Sequence, residues 1–110
     1  SNTIKKNNQS LVFKLTKHPY SILFTGDIEE QTRQVIENVK SAVEEAGGTL
    51  DDVCRVDVYI RNMEHFDAIH KIRRQYFKPP LPASTMVEVT KMTSPDYLIE
   101  INAIAVLPNG

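Results

Sequence analysis

The chain has a single cysteine, Cys54, among its 110 residues. No internal disulfide can form, and a reducing, cytoplasmic setting is expected. It has no long apolar run and no secretory pattern, so a soluble protein with no membrane partner is expected. Charge of one sign is also lacking: 13 Lys and Arg face 14 Asp and Glu, for a formal net charge of -1. A polyanion finds no general attraction in such a composition, which speaks against nucleic acid as a partner. The one basic cluster, Lys71, Arg73 and Arg74, falls in a helical stretch and reads as a solvated face. There is no glycine-rich phosphate loop, no Ser-His-Asp order and no aromatic nucleic-acid motif. His18 precedes Pro19 in a turn, and His65 and His70 are five apart, a spacing that does not put two imidazoles on one helix face. Neither a metal nor another cofactor is expected.

What the chain does have is a well-punctuated helix-to-strand unit. Asp27 stands at an N-cap position with Glu30 three residues on, a carboxylate version of the capping box at the positive end of the helix dipole. Ile28, Val35, Ile36, Val39, Val43 and Ala46 then recur at helical spacing. Glu29, Arg33, Glu37, Lys40 and Glu44 take the other side. Gly47-Gly48 supplies a left-handed stop. After the acidic turn Asp51-Asp52 the period becomes two, with Cys54, Val56, Val58 and Ile60 on one face and Arg55, Asp57, Tyr59 and Arg61 on the other. The spacing predicts a strand buried on one side, with Cys54 as an inert core thiol.

Around this unit lie weaker signals. Residues 1–9 are polar without a period and read as an arm or an edge segment. Leu11 to Leu15 and Ser21 to Thr25, separated by Lys17-His18-Pro19 and closed by Thr25-Gly26, read as a hairpin. A second amphipathic helix is expected over 64–77, with Phe66, Ile69, Ile72, Tyr76 and Phe77 toward the sheet. Pro79, Pro80 and Pro82 end it. Two strands, 83–90 and 97–107, follow around a Ser94-Pro95-Asp96 turn. The reading is one α+β domain over 1–110, in the order ββαβαββ, with both helices on one face of the sheet. Ile99 and Ile101 alternate with Leu98, Ile104 and Val106, so the last strand is apolar on both faces, which argues for oligomerisation.

Three separated segments, the run from Gly26 to Ile69, then PAST-x-VEV from Pro82, then IEINAIAVLP from Ile99, resemble the RidA/YjgF family, also called the reactive intermediate deaminases or the L-PSP endoribonuclease family. The resemblance covers most of the chain from Thr25 to Pro108. It implies a chorismate mutase-like fold with a mixed sheet, assembled as a homotrimer with ligand clefts between subunits. In the deaminases of this family an arginine in a PARS-like segment clamps the substrate carboxylate, which suits the planar fork of a guanidinium. Here that place is taken by Ser84, whose hydroxyl carries no charge. The family's helix asparagine near the cleft corresponds to His70, its Ser-Gly to Thr25-Gly26, and its tyrosine ahead of the first strand has no match. The connection after Gly26, longer and rich in Gly and Pro in relatives, is short.

Glu100 matches the glutamate that in these deaminases helps hold the attacking water, and its alternation with apolar neighbours would desolvate it into the acid–base range. A role pairing with an interface cation fits the same position equally well. The expected site is therefore Glu100 as the catalytic candidate, with Thr25, Gly26, His70 and Ser84 as ligand-binding candidates. Three functions compete. One is an imine or enamine deaminase, favoured by the resemblance and opposed by Ser84. Another is a protein that binds a small carboxylate or imine metabolite between subunits without standard deaminase activity, and the residues favour it. The third is an endoribonuclease, which the charge balance and the lack of a paired-histidine constellation disfavour.

Overall fold

The computed structural model describes residues 2–6, 11–17 and 27–108. Its elements in chain order are β1 (Asn2–Lys6), β2 (Leu11–Lys17), α1 (Ile28–Glu45), β3 (Val53–Ile60), α2 (Phe66–Tyr76), β4 (Ala83–Glu88) and β5 (Ile99–Leu107). Among the described residues they form one five-stranded sheet in the order β1-β2-β5-β3-β4. Only the β3–β4 pair is parallel, so the sheet is mixed. Of the expected hairpin, Leu11 to Leu15 falls within β2, while Ser21 to Thr25 lies outside the described residues. Among the described residues β2 pairs with Asn2–Lys6 on one side and with β5 on the other.

Helix α1 begins and ends where its punctuation places it. The Asp27 carboxylate accepts from the backbone N–H of Glu29 at 2.8 Å and of Glu30 at 3.4 Å, which satisfies two donors that the first turn leaves unpaired. At the other end Gly47 takes φ +97°, and the N–H groups of Gly47 and Gly48 donate to Glu44 and Val43. This 5→2 and 6→1 pair is a Schellman stop. Gly48 has a second reason to lack a side chain, since a Cβ there would run into Leu107.

The core lies between the helices and one face of the sheet. Val35, Ile36, Val39 and Val43 of α1, with Ile69 and Ile72 of α2, pack on Val56, Val58 and Ile60 of β3 and on alternate residues of β5 from Ile99 to Leu107. Both helices thus share one side. Gln31 is buried at 3% exposure, yet both ends of its amide are used: Nε2 donates to the Asp96 carbonyl at 2.9 Å and Oε1 accepts from the Leu98 N–H at 2.8 Å. This bridge fixes the approach to β5, and hence the position of the strand that carries Glu100.

Two expectations need correction. Cys54 is exposed rather than in the core. The β3–β5 register slips between Val53 and Arg55, so Val53 takes the inward place and the bulge turns Cys54 out, its thiol donating to the Ile104 carbonyl at 3.5 Å. Phe66 is not part of the core either. It is 44% exposed and stacks on His70, with ring centroids 5.5 Å apart.

Candidate functional site

The parity of the strands determines which candidate residues can meet. Ser84 is the register neighbour of Val56, whose side chain is buried beneath the helices, so Ser84 shares the helix side of the sheet. Glu100 is the register neighbour of Tyr59, three residues from Val56 and therefore on the opposite face. Within one chain Ser84 and Glu100 point to different sides of the sheet.

Each lines its own concavity. On the helix side, α2 presents Phe66, His70, Arg73 and Phe77 at i, i+4, i+7 and i+11, one continuous face that leans toward β4. With Leu81, Ser84 and Met86 these residues enclose a cavity of about 310 Å³, which Arg74 and Pro82 complete. His70 and Ser84 are therefore brought together as expected. The residue that sequence reasoning passed over is Arg73. It was grouped with Lys71 and Arg74 as a solvated face, yet it is half-buried and its Nη2 donates to Ser84 Oγ at 2.8 Å. Burial lowers the guanidinium pKa from its ordinary value, because the charged form loses water. Lys71, by contrast, reaches Glu29 at 3.5 Å on the outer surface. The missed signal was the i+4, i+7 spacing of Arg73 from Phe66, on the same side as two aromatic residues.

On the open face Glu100 lines a second, more polar concavity of about 340 Å³ with Tyr59, Val89, Lys91, Met92, Thr93 and Asn102. The Asn102 side-chain oxygen is buried there without a protein hydrogen-bond partner among the described residues. Such an acceptor suits a ligand or water N–H or O–H. Thr25 and Gly26 lie outside the described residues. Around this second hollow the open face mixes polar side chains, among them the Arg55–Asp57 ion pair at 3.2 Å, with exposed Val87 and Val106.

Known proteins share this chain's pattern. The model of the family described as Endoribonuclease L-PSP matches residues 14–107. A RutC family protein of Pyrococcus abyssi is 45% identical over 80 residues, covering 73% of this chain and 62% of that protein. A protein of Dermatophagoides farinae named 2-iminobutanoate/2-iminopropanoate deaminase is 33% identical over 85 residues, covering 77% of this chain and 66% of its own length. The chain thus spans less than two thirds of these relatives. In fold it resembles a YjgF-family protein of Mycobacterium tuberculosis, with a TM-score of 0.79 at 24% identity over 97% of this chain and 100% of that one.

Proposed function

The chain belongs to the RidA/YjgF family, also called the endoribonuclease L-PSP family, and from that premise we propose that it is a homotrimer binding a small carboxylate or imine metabolite in clefts between its subunits, without standard 2-iminoacid deaminase turnover. The observation that carries this reading is the separation of the two concavities. His70 and Ser84 line one on the helix side, while Glu100 lines the other on the open face. The catalytic candidate and the ligand-binding candidates of the helix side thus line different hollows. A second copy whose open face meets the first copy's α2–β4 edge would bring the two kinds of lining together, and the apolar Val87, Ile104 and Val106 give such a contact its driving force. Thr25 and Gly26 complete the proposed lining by resemblance.

A hydroxyl at position 84 cannot replace a bidentate charge-assisted pair to the substrate. Its loss removes on the order of 3 kcal/mol, about two powers of ten in specificity. With 2-iminoacids generated in situ by an amino-acid oxidase, release of ammonia should stay close to background, and Ser84→Arg should restore part of it if Glu100 is in place. Robust turnover by the unaltered protein would overturn the reading.

The deaminase reading has one observation in its favour, since Arg73 already holds a guanidinium against Ser84. The name of the mite relative points the same way. For cleavage of RNA, the net charge of -1 offers little attraction to a phosphate backbone.

A further inference from the structure

The two helices meet through a polar ladder on their outer side. Lys71 reaches Glu29 at 3.5 Å, Arg33 Nη1 donates to Gln75 Oε1 at 3.0 Å, and the Tyr76 hydroxyl donates to Glu37 at 2.7 Å. Helix α2 ends at Tyr76 while α1 runs on to Glu45, so the last turns of α1 pass beyond the end of their neighbour. What remains there is a third recess, of about 370 Å³, closed by the turn that begins at Thr49 and by Lys78. Leu50 and Tyr76 pack on the core and give it an apolar floor. The Thr49–Asp52 capping box, in which the Thr49 N–H donates to the Asp52 carboxylate at 2.8 Å, holds the turn in shape.

Four charged side chains line this recess: Lys40 and Glu44 of α1, Asp51 of the turn and Lys78 after α2. None of the four forms an ion pair among the described residues. A cation is further favoured beside Glu44, because the last turn of α1, at the negative end of the helix dipole, carries no basic residue. Two cations and two carboxylates around an apolar floor match a molecule that carries one charge of each sign on an apolar body. We infer that the recess is a binding site for a zwitterionic α-amino acid with an uncharged side chain, separate from both hollows beside the sheet. Lys40 and Lys78 take its carboxylate, Glu44 and Asp51 its ammonium, and Leu50 and Tyr76 its side chain. A molecule with a single charge satisfies one pair and meets like charge in the other. The volume lies at the small end of ligand sites, room for one amino acid rather than a peptide. Its ionic contacts lie at the surface, so the expected dissociation constant is on the order of a millimolar.

The inference goes beyond the proposed function, and the test keeps the two apart. The probe is L-leucine, with isocaproate, which lacks the ammonium, and isoamylamine, which lacks the carboxylate, each titrated into the full chain and followed by NMR signals of Leu50, Arg73 and Glu100. L-leucine should shift Leu50, and each half-probe should bind about fivefold more weakly. Glu44→Gln should weaken L-leucine by about threefold and leave isocaproate no weaker, and Lys78→Gln should weaken L-leucine by about as much and leave isoamylamine no weaker. Both substitutions are at exposed side chains. If thermal unfolding shows that either variant has lost the fold, the comparison of L-leucine with its two halves carries the test. Absence of L-leucine binding would overturn the inference, as would equal binding of L-leucine and either half, or equal L-leucine binding by the unaltered protein and both folded variants. Shifts at Arg73 or Glu100 with none at Leu50 would also overturn it, while leaving the proposed cleft between subunits intact.

Discussion

The two concavities differ in what builds them. The helix-side cavity grows out of the core: Phe77 is buried in the hydrophobic cluster and also lines the cavity, and α2 sends Ile69 and Ile72 inward and Arg73 outward from the same turns. The hollow around Glu100 is walled by Tyr59, Glu100 and Asn102 of the strands and by Val89, Lys91, Met92 and Thr93 of the loop after β4. Its strand residues are held by sheet register and by the Gln31 bridge at the head of β5. The first is a largely apolar pocket with Arg73 and Arg74 on its wall, and the second a more polar groove that holds Glu100 and Lys91. Their chemistry is complementary, and the sheet keeps them apart. A fold with one covered face and one open face can offer two hollows that a single copy has no means of joining.

Substitutions that strike one hollow and spare the other sharpen this contrast. The largest effect is expected for Phe77→Ala, which removes core and cavity wall together. It should destabilise the fold by about 3–5 kcal/mol in urea unfolding and disturb the helix-side pocket, while NMR signals of Asn102 keep their native shifts in the folded fraction. Gln31→Leu should act on the other hollow. It leaves the Asp96 carbonyl and the Leu98 N–H without their side-chain partner, at a cost of about 2 kcal/mol, and should broaden signals at Glu100 before any change appears at Arg73. If it disturbs both hollows equally, their independence within the protomer is wrong.

Much of the fold was legible before the structure because its signals are local. The Asp27 cap, the Gly47-Gly48 stop and the alternation from Val56 to Ile60 depend on near neighbours in sequence, and the structure places them as read. Cys54 was misplaced because a bulge depends on what the partner strand does, and strict alternation cannot foresee it. The same limit explains the first strand, where a polar run gains its place only by pairing with β2. Of the candidate residues, His70 and Ser84 line one cavity, but sequence reading does not place the charge beside them. A long side chain such as Arg73 reaches across to another element, and sequence spacing records only where its Cα lies. Burial of the Gln31 amide was hidden for a similar reason, since both its partners lie more than sixty residues away.

Tyr76→Phe, at a residue that lines neither hollow, gives the smallest effect and serves as a control. It removes the hydrogen bond donated to Glu37 at 2.7 Å and should cost about 1 kcal/mol with no change in ligand binding. Burial, aided by that bond to the carboxylate, holds the Tyr76 phenol above its ordinary value of about 10. The contribution is therefore complete below that pH and is lost as pH climbs through the raised folded-state value. Unfolding midpoints of the unaltered protein and Tyr76→Phe should converge in strong alkali.

The central claim is that the two half-sites are joined between copies of the chain, so the most direct measurement is the mass in solution, by light scattering after size exclusion at micromolar concentration. The account predicts three times the chain mass. A clean monomer would contradict it, because the Arg73 and Glu100 sides of the sheet would then have nothing to bring them together.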